Sequence, residues 1–100
     1  MIELNYKKIG IGKKTVIVMH EWMGDHTNYD ATIPYLNKID FTWIFVDFRG
    51  YGLSKEIKGN FDLDEAFEDI KNLIKKLKIN DIYLIGHSMS SLIAQKLSLI

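Results

Sequence analysis

The chain has 100 residues, 47% of them hydrophobic and 26% charged, with thirteen basic and thirteen acidic groups in balance and no cysteine. That is the composition of an ordinary globular domain or a piece of one. Zero net charge leaves no electrostatic footprint for nucleic acid or an anionic membrane surface, and the lack of thiols excludes disulfides and thiolate metal sites.

In chain order, "MIELNYKKIG" carries Glu3 and has no apolar signal-peptide region, so the chain reads as cytoplasmic. Its "IELNYKKIG" reads as a strand, closed by the turn "GIGKK". "TVIVMH" is a continuous β-branched run, as in a strand buried on both faces. Asn28 to Lys38 predicts a helix with Tyr29, Ile33 and Leu36 on one side, shortened or kinked by Pro34. "FTWIFVDF" is a second buried strand, and "RGYGLSKEIKGN" a glycine-punctuated loop. The runs "VIVM" and "WIFV" are far too short to span a bilayer. Asp62 and Glu65 have capping-box spacing, and Leu63, Ala66, Phe67, Ile70, Leu73, Ile74 and Leu77 follow with helical periodicity. "DIYLIG" predicts a third buried strand, and Met89 onward a helix carrying Leu92, Ile93, Leu97 and Ile100.

Strands alternating with helices predict an α/β fold with a mostly parallel sheet and flanking helices, the two opening strands forming an antiparallel edge. The last helix reaches Ile100 with no Gly, Asn or Pro stop. The expectation is therefore that residues 1–100 are the N-terminal portion of a single larger domain, with the remainder beyond Ile100.

Ser88 stands at the break between the third strand and the last helix, in "IYLIGHSMSS". A serine there is either a helix cap or a nucleophile lifted clear of the sheet by a tight turn. That turn needs small residues two places before and after the serine, and Gly86 and Ser90 supply them. A helix N-terminus beginning at the turn also favours negative charge beside the hydroxyl. Taken alone, the pattern leaves the two readings equal.

Three segments together resemble the α/β-hydrolase family along essentially the whole chain. "GHSMSS" resembles that family's nucleophile elbow, "VMHEWMGD" its oxyanion loop, and "DFRGYGLS" its Asp-x-Arg-Gly-x-Gly-x-Ser loop, in matching order and spacing. The resemblance implies Ser88 as the nucleophile, with the backbone N–H groups of Met89 and Trp22 as oxyanion-hole donors, each worth about 3 kcal/mol. It also implies Trp22 and Met23 as substrate-lining groups. Two positions depart from the pattern: Glu21 replaces the glycine after the histidine, and Ser90 replaces the second elbow glycine. Glu21 is expected to point away from the oxyanion, held by a loop N–H or by Lys13, Lys14 or Arg49.

The remaining polar residues have structural readings. His20, at a strand end, ties loops by hydrogen bonds; His87 faces away from its neighbour Ser88; His26 is solvated in a loop; Asp47 anchors its loop with Arg49. His20, Glu21, Asp25 and His26 match no metal-site spacing, so no metal is expected. In this family the acid and the histidine follow the serine in the chain, so both are expected beyond Ile100. The implied activity is acyl transfer by an esterase-like serine hydrolase on a small-molecule carboxylic ester or related acyl substrate, with no metal or organic cofactor. The alternative is a non-catalytic protein of the same fold that binds a small apolar ligand.

Overall fold

The computed structural model describes residues 2–79 and 81–99. Four strands, β1 (Tyr6–Ile9), β2 (Lys14–Met19), β3 (Phe41–Val46) and β4 (Ile82–Ile85), form one sheet in the order β1-β3-β2-β4. β2 runs parallel to both β3 and β4, with Val18 opposite Phe45 on one side and Ile85 on the other. The expected antiparallel edge exists, but β1 pairs with β3 rather than with β2. The turn after Ile9 does not fold β1 back as a hairpin. Ile11 and Gly12 instead donate to the carbonyls of Lys38 and Phe41, which carries the chain past β3.

β2 and β3 are the buried strands that their unbroken apolar runs predict. β4 is not: it pairs on one side only among the described residues, and Tyr83 and Ile85 are exposed. Its apolar composition therefore alternates between a packed and an open face.

The chain leaves β2 through a 3-10 helix, His26–Tyr35, and returns as β3. Tyr29, Ile33 and Leu36 pack on Val16, Val18 and Phe45, the face expected of them. The helix type differs from an α-helix for a local reason. Pro34 has no N–H to donate four residues back, and Thr32 bonds its hydroxyl to the carbonyl of Tyr29.

From β3 the chain crosses the opposite face through α1 (Leu63–Leu77) to β4, and α2 (Met89–Leu97) follows. Ala66, Phe67, Ile70 and Leu73 of α1 and Ile93 and Leu97 of α2 bury against Ile17, Met19, Ile44 and Val46. Asp62 caps α1 by accepting the N–H of Glu65. The Glu65 carboxylate reaches past the cap, to the N–H groups of Asn60 and Phe61. α2 ends at Leu97 with Ser98 as its cap, short of the expected end, and Ile100 lies outside the described residues.

Two crossovers on opposite faces make β2 the point where the strand order reverses. The loops leaving the carboxyl ends of β2 and β4 therefore diverge to opposite faces and leave a crevice between them, the usual ligand position in an open α/β sheet.

The two helical stripes differ in consequence. Ile70 is fully buried, whereas Leu92 is 55% exposed although its spacing puts it on an apolar stripe. In the whole protein Ile70→Ala is expected to cost about 2–5 kcal/mol and Leu92→Ala less than about 0.5 kcal/mol, as read from urea unfolding midpoints.

Candidate active site

Three loops meet at the carboxyl edge of the sheet: residues 20–25 after β2, 47–54 after β3, and 86–88 after β4. Asp47 joins the first two. It is fully buried, its Oδ1 accepts the backbone N–H of His26 at 2.6 Å, and its Oδ2 accepts His26 Nδ1–H at 2.7 Å and the N–H of Leu53 at 2.8 Å. Gly52 has φ +48°, and a Cβ there would lie 2.5 Å from Asp47 Oδ2, so the loop can wrap the carboxylate only with glycine at that position.

His20 is equally buried. Its Nδ1–H donates to the carbonyl of Glu21 at 2.6 Å, and its Nε2 accepts the N–H of Phe48 at 3.0 Å. The loop-tying role expected of it is what the structure shows. Burial pushes its pKa below the ordinary imidazole value, against the opposing pull of the Glu21 carbonyl and the Asp47 charge. Both nitrogens are engaged, so His20 is not a proton acceptor for substrate chemistry.

Two expectations are corrected. His26 is not solvated: its ring is 15% exposed and bonded to Asp47. Asp47 does not pair with Arg49. The guanidinium turns to α1 and grips Asp69, with Nε and Nη2 at 3.0 and 2.8 Å from the carboxylate oxygens. That contact raises the pKa of Arg49 further. An acid at position 69 among the apolar residues of α1 was the sequence signal for such a partner.

Asp25, His26 and Asp47 hold ligand-type atoms within 4.8 Å of one another. Both Asp47 oxygens accept hydrogen bonds, and Asp25 Oδ1 accepts the N–H and hydroxyl of Thr27. The Thr27 bonds also lower the pKa of Asp25. This donor set fits a hydrogen-bonded loop anchor rather than a cation site.

The turn after β4 has an unusual backbone. Ser88 has φ 55° and ψ −117°, outside the regions open to an unstrained L-residue. It occupies the N-cap position of α2 but makes no side-chain cap bond, and it is exposed between β4 and the buried Met89 and Ser90. Gly86 is needed for the turn to close, since a Cβ there would meet the carbonyl oxygen of Ser90 at 2.6 Å.

Ser90 does more than fit. Fully buried, its Oγ accepts the N–H of His87 at 2.7 Å and lies 3.1 Å from the carbonyls of Met19 and His87, one of which takes its proton. A glycine could not form this tie between the turn and the end of β2.

Met89 is the first residue of α2, where backbone N–H groups have no partner within the helix and the dipole favours an anion. Trp22 sits in a turn closed by the N–H of Gly24 bonding to the carbonyl of Glu21 at 3.1 Å, and its ring lies 6.3 Å from that of Tyr51. Met23 is 92% exposed. Glu21 has no positive φ, so it follows an ordinary backbone path where a glycine was the resembling residue. Its carboxylate meets none of the three cations expected. It lies 3.7 Å from Nδ1 of His87, the residue before Ser88.

A groove of about 770 Å³ lies between the end of α1, β4 and the last turns of α2, lined by Ile74, Ile79, Tyr83, Ala94 and Leu97. It is at the opposite end of β4 from Ser88 and belongs to the open sheet edge.

The family profile of the alpha/beta hydrolase fold matches residues 14–99, from the start of β2 to just past the end of α2. The chain belongs to the alpha/beta hydrolase family. It is 33% identical over 93 residues to the AB hydrolase superfamily protein YisY of Bacillus subtilis, covering 93% of this chain and 34% of that protein. It is 32% identical over 91 residues to the human serine hydrolase BPHL, covering 87% and 31%. The structure of the esterase EaEST from Exiguobacterium antarcticum superposes with a TM-score of 0.83 at 30% identity, over 96% of this chain and 35% of that one. The chain thus spans about a third of the length of the relatives it matches. Relatives of the family also include proteins named as a haloperoxidase and a quinolone dioxygenase. Among the described residues no helix is long and apolar enough to cross a membrane.

The buried, neutral His20 makes stability depend on pH. Its folded pKa lies below the unfolded value of about 6.5, so the unfolded state binds more protons as pH falls. Its contribution is complete above about pH 6.5 and is lost as pH drops through that value toward the folded pKa, at up to about 1.4 kcal/mol per pH unit. His20→Gln is expected to lower stability at pH 7.5 and to flatten the slope below pH 6.5, as read from urea unfolding across pH 5 to 8.

Proposed function

We propose that the protein is a serine hydrolase that works by acyl transfer, with Ser88 as nucleophile and a carboxylic ester or related acyl compound as substrate. The observation that carries this reading is the strained, exposed Ser88 that caps nothing. Strain of about 1–3 kcal/mol persists where the surrounding structure enforces it, and here Gly86 and Ser90 do so. A serine serving as a helix cap would take an extended conformation and turn its oxygen to the helix N–H groups. The family membership and the esterase neighbour support the same conclusion.

In this mechanism Ser88 Oγ attacks the substrate carbonyl carbon while its proton passes to a general base. The carbonyl oxygen becomes an oxyanion, received by the N–H groups of Met89 and Trp22. Collapse expels the alcohol with a proton and leaves an acyl-Ser88 ester, and water then releases the acid. The base comes from outside these hundred residues, in keeping with the Ser-acid-His order of the fold. His20 and His26 are both committed to the loops, and His87 directly precedes the nucleophile. Trp22 and Met23 border the acyl group.

In the whole protein a fluorophosphonate should label Ser88 covalently, and Ser88→Ala should abolish labelling while leaving the unfolding midpoint nearly unchanged, because alanine keeps the Cβ and the exposed hydroxyl makes no cap bond. Mass spectrometry of the labelled peptide reads the outcome. Labelling that persists in the variant removes Ser88 from the mechanism, and a wild-type protein that takes no label is left with the ligand-binding reading.

A further inference from the structure

The Glu21–His87 contact joins the two loops that border the crevice. Its energetic value as an ion pair is small, because the side chains are 42% and 62% exposed and separated by 3.7 Å. Nor does the backbone demand a glutamate, since position 21 follows an ordinary path. What the residue does supply is a carboxylate 3.7 Å from the ring of His87, the residue before Ser88.

The other charged groups nearby do not cancel it. Arg49, the chain's single arginine, is turned to α1 and held by Asp69, Glu65 and the carbonyl of Lys58. Asp47, bonded by His26 and Leu53, and Asp25, bonded by Thr27, are acids themselves and cannot offset it. The charge of Glu21 also reaches Tyr29. After burial, its charge is the second influence raising the pKa of Tyr29, whose hydroxyl bonds the carbonyl of Met19.

We infer that Glu21, held against His87 at the mouth of the crevice, selects substrates by charge, favouring acyl compounds with a cationic or neutral group near the scissile carbonyl over anionic ones. This rests on Ser88 being the nucleophile. A carboxylate within about two or three water diameters of a substrate charge in a solvated cleft discriminates by roughly three- to tenfold, and salt screens the effect.

Three fluorophosphonates with one leaving group and one chain length, tipped with trimethylammonium, methyl or carboxylate, test this in the whole protein at pH 8. The second-order rate of Ser88 labelling is read for each at low salt and at 0.5 M salt. The expected order is cationic, neutral, anionic, with a cationic-to-anionic ratio of roughly three- to tenfold at low salt that shrinks at high salt. Glu21→Gln should bring the ratio close to one, and Glu21→Asp should keep most of it. A ratio that Glu21→Gln leaves unchanged overturns the charge-selection role while Ser88 labelling stands. A uniform fall for all three probes with the ratio preserved makes Glu21 a loop-holding residue and also overturns it. Wild-type protein that reacts with none of the probes overturns the nucleophile reading itself.

Discussion

The carboxyl edge of the sheet depends on the side chain of Asp47. β3 delivers it, fully buried, to a place where three protein donors converge on its two oxygens. A buried carboxyl group without partners costs several kcal/mol, so the loops must come to it. The loop after β2 does so through both donors of His26, and the loop after β3 through Leu53 N–H and the glycine at 52. His20 adds a second tie between the same loops, from the Glu21 carbonyl to the Phe48 N–H. The turn bearing Trp22 and Glu21 is thereby held from both ends.

The turn at Ser88 rests on that framework. Ser90 places its Oγ 3.1 Å from the carbonyl of Met19, the last residue of β2, and Glu21 meets His87 from the other side. Local preference and architecture conflict at Ser88, where an L-residue takes φ 55°. Such conflicts concentrate at functional sites because only dense tertiary support maintains them. Ser90 shows how a departure from a family pattern is absorbed. A hydroxyl in place of a hydrogen fills the buried space and satisfies the N–H of His87.

The open edge at β4 has the same logic on a larger scale. Its inward residues Ile82 and Leu84 pack beside α1 and α2, while Tyr83 and Ile85 are exposed on the other face. Exposed apolar surface on an unpaired strand invites pairing.

Hydrophobic periodicity determined most of the architecture. The buried β2 and β3, the stripe and cap of α1, and the start of α2 all follow from spacing, because each of these elements has a packed face along its length. The glycine and serine positions around Ser88 likewise marked the turn, since steric crowding restricts residue type wherever it occurs. Contacts between loops were not legible. Which acid receives His26, where Arg49 turns, and that Glu21 meets His87 depend on pairings across 20 to 66 positions of chain. No local propensity encodes those pairings. The pairing of β1 with β3 and the exposure of β4 were decided the same way, by which strand lies alongside which. Sequence alone determined which segments are strands, helices and tight turns, because each of these is set by neighbouring residues. The tertiary structure decided which polar side chains share a site, because hydrogen-bond geometry exists only after the sheet has brought the loop ends together.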